Sequence, residues 1–234
     1  MYSGWLSIVG GTGALGRALA HRALRHGINV CIGSRTQARA DAVANELRAS
    51  IPGARVLGHA NLAAAERGDM VVVTVPFSSQ IETLREIKPA VRGKIVIDTT
   101  VPLVPPRVAR VQLPAEHSAA VRAQSELGEE TQVISALHTI AATHLESSED
   151  ADVLGDVLVF GNDKASRDVA ISFLHDINLH ALHGGGLANS VAAEAMTSVL
   201  IFINKSYGGG HAGLRITGLP TAAEAARAAQ GNRP

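Results

Sequence analysis

The 234-residue chain has a single cysteine, Cys31, which excludes an internal disulfide framework and any Cys-rich zinc site. It also lacks net charge. Its 21 Lys and Arg balance 21 Asp and Glu, leaving no overall field to gather DNA, RNA or an anionic membrane. No uninterrupted apolar run reaches the roughly 20 residues of a membrane helix. The opening MYSGWLSIVGG has neither a basic n-region nor a cleavable apolar core, so no signal peptide is expected. There are no internal repeats, and the histidines are scattered. His180 and His183 stand three apart beside a glycine turn without partnered acids, so no metal site is expected. What is present is 46% apolar and 18% charged residues, enough to bury a real core. The expectation is a cytoplasmic protein of one large domain, or one domain with a helical appendix.

The first half of the chain alternates short apolar runs with helical periodicity. Leu6 to Val9 reads as a strand, and Leu15, Leu19, Ala23 and Leu24 then repeat at helical spacing until Gly27. A second strand is expected over Ile28 to Ile32, ended by Gly33-Ser34-Arg35, and a helix over Ala38 to Ala49. Arg55 to Leu57 reads as a third short strand, with Asn61 capping a helix over Leu62 to Arg67. Met70 to Val75 is apolar on both faces and closed by Pro76, as in a parallel strand covered on both sides. Helix over Gln80 to Ile87 and strand over Lys94 to Ile97 follow. The pattern predicts an α/β fold, a Rossmann-type doubly wound parallel sheet with a small C-terminal helical extension.

Farther on, the proline-rich Thr99 to Pro114 reads as a loop. Helices are expected over His117 to Leu127 and Lys164 to His175, with strands at Gln132 to Leu137 and Asp156 to Phe160. After Gly184-Gly185-Gly186 a long helix runs from about Leu187 to Tyr207. Its Val191, Ala195, Val199, Phe202 and Ile203 stripe suits packing on a core or on a second subunit. Residues 219–234 read as a short helix or a frayed tail. The division expected is 1–182, a nucleotide-binding domain, and 183–234, a helical segment completing the substrate pocket.

Gly11-Thr12-Gly13-Ala14-Leu15-Gly16 fits GxGxxG and lies between a strand and a helix, the context the pattern requires. Two glycines allow the tight turn and close approach to a pyrophosphate, and the third lets the helix pack on the strand. The helix N-terminus then offers unpaired N–H groups to that anion. At the end of the second strand an NAD site would place a carboxylate for the ribose hydroxyls. Here stand Ser34, Arg35 and, one turn on, Arg39: donors for a 2′-phosphate, which points to NADP(H). Thr74, Val75 and Pro76 end the fourth strand beside the topological switch, where the nicotinamide half would lie. Ser135-Ala136-Leu137-His138-Thr139-Ile140 ends a further strand with a candidate catalytic residue, His138.

With these motifs the sequence resembles the coenzyme F420-dependent NADP oxidoreductases. The resemblance runs through Val9 to Gly16, Gly33-Ser34-Arg35, Thr74-Val75-Pro76, Ser135 to Ile140 and Gly185 to Ser190. It implies a cytoplasmic homodimer passing a hydride between NADP(H) and the deazaflavin F420, a soluble small-molecule carrier. Thr12, Gly13, Ala14 and Leu15 would contact the pyrophosphate, with Gly11 and Gly16 completing the loop. Ser34, Arg35 and Arg39 would hold the 2′-phosphate. His138 would border the F420 pocket, positioning the deazaflavin or polarising one of its carbonyls. Ala141 and Gly186 stand where the family more often has proline, both toward the deazaflavin side. The domain is also similar to the NADPH-binding part of membrane metalloreductases. Two other readings remain open from the residues alone: an NADPH-dependent reductase of a flavin or other small acceptor, and a non-catalytic NADP(H) sensor.

Overall fold

A computed structural model describes residues 2–147 and 155–220. Leu6, Ile8 and Val9 have no exposed surface, and their strand, β1 (Trp5–Val9), lies inside an eight-stranded sheet. α1 (Ala14–Arg25) follows and stops at Gly27, whose φ of +76° turns the Gly27 and Ile28 N–H groups back onto the Leu24 and Ala23 carbonyls. The alternation continues through β2 (Asn29–Ser34), α2 (Gln37–Ser50), β3 (Val56–Ala60), α3 (Asn61–Arg67), β4 (Met70–Val73), α4 (Gln80–Ile87) and β5 (Ile95–Asp98). After the long loop come α5 (Ala119–Leu127), β6 (Gln132–Ser135), α6 (Ala142–Ser147), β7 (Asp156–Gly161), α7 (Lys164–Asp176), β8 (His180–Gly185) and α8 (Ser190–Tyr207).

Across the sheet the order is β3-β2-β1-β4-β5-β6-β7-β8, with β1 to β6 all parallel. Helices cover both faces. Leu6, Ile8 and Val72 pack against Leu19 and Ala23 of α1, Val43 and Leu47 of α2 and Phe173 of α7. Val71, Val73 and Val96 pack against Leu84 and Ile87 of α4 and Ala123 and Leu127 of α5. Burial on both faces explains why these strands are continuous apolar runs rather than alternating ones. The chain winds outward through β2 and β3 and returns to β4 on the other side of β1. The switch point, where ligands bind in such sheets, lies between β1 and β4.

Several boundaries differ from expectation, each for a local reason. Gly33 and Ser34 do not end β2 but belong to it, paired with His59 and Ala60 of β3. β4 stops at Val73, short of Val75. The fifth helix starts at Ala119 rather than His117, because His117 has φ +68° and the Ser118 hydroxyl caps the Val121 N–H at 3.0 Å. Leu137, at φ +69°, lies outside β6. β7 pairs antiparallel with β6 and parallel with β8, so the last two strands reverse the sheet's direction. β8 was not expected at all. It spans the expected 182/183 division, which therefore falls within a strand.

The stripe expected on α8 to meet a core or a second subunit is only partly covered within the chain. Ser190, Ala193, Glu194 and Ser198 are buried, while Val199 and Phe202 of the apolar stripe are 40% and 57% exposed. With the preceding turn, Leu187–Tyr207 is a 21-residue stretch whose most apolar 18 residues have mean hydropathy 1.3, long and apolar enough by composition to cross a membrane. The tail expected from 219 lies, from 221 onward, outside the described residues.

Candidate active site

β1 ends at Val9 and the chain turns at Gly10, where φ is +76° and a Cβ would lie 2.6 Å from Val75 Cγ1. The next residue, Gly11, donates its N–H to the Ile8 and Gly33 carbonyls at 3.1 and 2.9 Å. Gly16 backs onto it so closely that an added Cβ would sit 2.6 Å from Gly11 Cα. These glycines bring strand, loop and helix into contact. The first bond of α1 runs from the Arg17 N–H to the Gly13 carbonyl at 2.9 Å; no side chain caps the N–H groups before it, and the first turn holds no acid. A helix start of this kind, at the end of a GxGxxG loop, suits an anion.

The crevice at the switch point is lined by Gly10, Thr12, Gly13, Ser34, Arg35, Arg39, Asn61, Thr74, Val75, Pro76, Ser79 and Thr83. The structure thus brings together Thr12, Gly13, Ser34, Arg35, Arg39, Thr74, Val75 and Pro76, as the sequence leads one to expect. Gly11 and Gly16 stand behind this surface in the close contact just described, and Ala14 and Leu15 form the first turn of α1 beside it. Gly10, Asn61, Ser79 and Thr83 are additions. Asn61 does not cap α3; its helix begins at Asn61 itself, and Oδ1 instead accepts from the Gly10 N–H at 3.4 Å.

No carboxylate is among the lining residues. Arg35 and Arg39 are exposed and take part in no ion pair among the described residues, whereas Arg17 is bound to Glu46 at 2.5 Å. Two free guanidinium groups at the mouth of an acid-free crevice fit a phosphate in fork geometry. On the other wall the Thr74 N–H and hydroxyl both donate to the Val9 carbonyl, at 2.9 and 3.1 Å. Pro76, without an N–H, then takes the chain out of the sheet.

His138 lies apart from this lining. It is buried, its Nε2 is 3.1 Å from the Ser135 hydroxyl, and its Nδ1 has no partner among the described residues. Its carbonyl accepts from the Thr197 hydroxyl of α8 at 2.9 Å. Burial pushes the imidazole pKa down to about 4, so the ring is neutral at pH 7.

Nearby lies a buried polar network that the sequence did not reveal. Glu194 of α8 accepts from the Ala119 and Ala120 N–H groups, at 2.7 and 3.2 Å, and from the Ser190 hydroxyl at 3.0 Å. It therefore caps α5 from another element. Burial, with Asp98 adding repulsion, still pushes its pKa up to about 7. Burial raises the Asp98 pKa as well.

These shifts have opposite consequences for stability. A raised acid pKa means that the folded state holds a proton the unfolded chain has released, so the Glu194 contribution falls as pH rises from 4.5 to about 7. For His138 the unfolded chain takes up the proton first, so its contribution is lost as pH falls from 6.5 toward 4. Relative to the parent, Glu194→Gln gains about 3 kcal/mol between pH 4.5 and 8. Urea titrations at the two ends of that range measure it; parallel stability curves for parent and variant contradict it.

His180 and His183 lie in β8 rather than beside a turn, and each has an acidic partner. His180 Nδ1 is 2.7 Å from Asp156 and His183 Nε2 is 3.2 Å from Asp168. The two acids are different, and among the described residues no three His, Cys, Asp or Glu side chains cluster for a metal.

This arrangement can be set beside known proteins. Residues 6–102, which carry β1 through β5 and the whole crevice, match the family described as NADP oxidoreductase, coenzyme F420-dependent. The chain is 37% identical to the F420-dependent NADP reductase of Methanothermobacter thermautotrophicus, over 92% of its own length and 95% of the relative's. It is 32% identical to the F420-dependent NADP reductase of Methanocaldococcus jannaschii, over 92% and 98% of the two chains. In fold it is similar to the structure of a putative F420-dependent NADP reductase from Arthrobacter sp. FB24, at TM-score 0.76 and 22% identity, covering 93% of this chain and all of the other. Likeness that begins at the crevice and extends over nearly the full length of both chains places this protein in the F420-dependent NADP reductase family.

Proposed function

We propose that the protein transfers a hydride between NADP(H) and the deazaflavin coenzyme F420. The observation that carries the NADP half is the pair of guanidinium groups, Arg35 and Arg39, in no ion pair among the described residues, beside Ser34 in a crevice whose lining holds no carboxylate. The F420 half is supported by family membership. In this reading Ala14 and Leu15 present backbone N–H groups to the pyrophosphate, and Thr12 and Gly13, whose own N–H closes the turn onto the Gly10 carbonyl at 3.1 Å, lie alongside. Arg35 and Arg39 hold the 2′-phosphate, and Thr74, Val75 and Pro76 form the wall against the nicotinamide.

Reduction of oxidised F420 takes one hydride from NADPH and one proton from solvent, leaving NADP+ and reduced F420. The protein's task is to hold two flat rings in near-attack contact and to exclude water between them. No nucleophile is required. His138, neutral and hydrogen-bonded to Ser135, serves the acceptor side as a fixed polar group rather than as an obligatory acid. The outward Val199 and Phe202 face of α8 is proposed to pair with a second copy in a cytoplasmic homodimer, which sedimentation at micromolar concentration reads directly.

Mixing the protein with NADPH and oxidised F420, with FMN, FAD and riboflavin in parallel, tests the proposal. Bleaching of the deazaflavin at enzymatic rates, with flavins slower by at least tenfold, is expected. Faster reduction of a flavin would move the function to that acceptor. NADPH binding without turnover of any acceptor would support a sensor instead.

A further inference from the structure

Gln80, the first residue of α4, has no exposed surface and directly follows Ser79, which lines the crevice. Its Nε2 donates to Asp98 Oδ2 at 2.5 Å and to the Ala119 carbonyl at 3.0 Å. Both partners are acceptors, so the carboxamide has one orientation, and its Oε1 is buried without a partner among the described residues. A buried acceptor left unsatisfied is costly, so a side chain that only filled space here would be apolar.

The partners of Gln80 are themselves fixed. Asp98 ends β5 and its Oδ1 accepts from the Thr100 N–H at 3.0 Å, while the Ala119 N–H is held by Glu194 at 2.7 Å. The segment that Gln80 tethers is weakly self-supporting. Pro76 contributes no N–H, and the turn closes on itself through the Ser79 N–H to the Pro76 carbonyl at 2.9 Å. One residue on, Phe77 lies under the Arg122 guanidinium at 4.8 Å. The wall made by Thr74 to Pro76 thus takes its place from β4 at one end and from the Gln80 carboxamide at the other.

We propose that Gln80 is a positioning residue for hydride transfer, its carboxamide clamping the Thr74–Ser79 turn to β5 and α5 so that the nicotinamide meets its acceptor at a fixed distance. This rests on the nicotinamide lying against Thr74 to Pro76. Nuclear Overhauser contacts between the nicotinamide ring of NADP+ and the Val75 methyls, in the unsubstituted protein, test that placement by itself. Their absence would overturn the placement, and the clamp with it.

With the contacts present, Gln80→Met tests the clamp, because it keeps the volume and removes both donated bonds. Single-turnover hydride transfer to F420 is expected to fall at least tenfold. The KM for NADPH and the affinity for 2′,5′-ADP, which probes the adenosine half alone, should stay within about threefold of the parent. Asp98→Asn, which retains an acceptor for Gln80 but loses one for Thr100, should give a smaller loss of the same kind and serves if the first variant does not fold. Unchanged hydride transfer in a folded variant would overturn the proposal. So would a parallel loss of 2′,5′-ADP binding, which would mark Gln80 as a structural residue only.

Discussion

Replacing Arg35 and Arg39 together by Ala lowers NADPH affinity by about 100- to 1,000-fold and NADH affinity by less than about threefold, in equilibrium titrations at moderate salt. Two charge-assisted contacts to a dianionic phosphate in a partly exposed site contribute about 3 to 4 kcal/mol together. The same groups have nothing to bind on a ribose hydroxyl. Their availability makes the effect large: neither guanidinium must leave an ion pair among the described residues to reach the ligand. The single variants should each lose part of the discrimination, and added salt should weaken NADPH in the parent more than in the double variant. Equal losses for the two nucleotides would remove the 2′-phosphate assignment.

Two alanine substitutions only three residues apart in sequence separate what the glycine loop does for the fold from what it does for the ligand. Gly16→Ala puts a Cβ 2.6 Å from Gly11 Cα and 3.0 Å from its carbonyl carbon, against backbone that cannot turn aside. Overpacking of this kind costs about 2 to 3 kcal/mol, a fall in Tm of about 5 to 10 °C for a chain of this size. Gly13→Ala differs. Gly13 has φ −78°, and an added Cβ meets nothing closer than the Gly10 carbonyl oxygen at 3.5 Å. The fold should tolerate it within about 0.5 kcal/mol, yet the methyl stands in the crevice where the pyrophosphate must approach. NADPH affinity should fall more than tenfold in Gly13→Ala at unchanged Tm. If Gly13→Ala binds as well as the parent, the pyrophosphate does not lie on this loop.

The glycine loop and the guanidinium pair were legible because each is a local pattern whose chemistry is decided by neighbours in sequence. Thr12, Gly13, Ser34, Arg35, Arg39 and Thr74 to Pro76 meet at the crevice because the alternation of β1 to β4 fixes where strand ends fall. Asn61, Ser79 and Thr83 carry no such pattern. They reach the crevice because α3 and α4 begin beside it, and the Asn61 side chain finds the Gly10 N–H across 51 residues rather than its own helix. β8 was missed because His180-Ala-Leu-His-Gly-Gly has no apolar run. It is an edge strand, and His180 stays exposed, its Nδ1 2.7 Å from the Asp156 carboxylate. The stripe of α8 was legible as apolar, but not whether a core or a second subunit meets it. The buried face of the helix mixes Ala193 and Leu200 with Ser190, Glu194 and Ser198, because Glu194 caps α5 and Ser190 binds Ser118, contacts that periodicity does not encode. His138 was legible as a residue at the end of a strand, but not as a buried, neutral one. That follows from how the 136–140 segment packs beneath α8.

The central claim is direct passage of a hydride from NADPH to F420 on this protein. NADPH carrying deuterium at both C4 positions, reacted with oxidised F420 in ordinary water, tests it most directly. Reduced F420 should carry one deuterium at C5, formed with a primary isotope effect on single turnover. Reduced F420 without deuterium would show that the electrons travel by another route and would contradict the account.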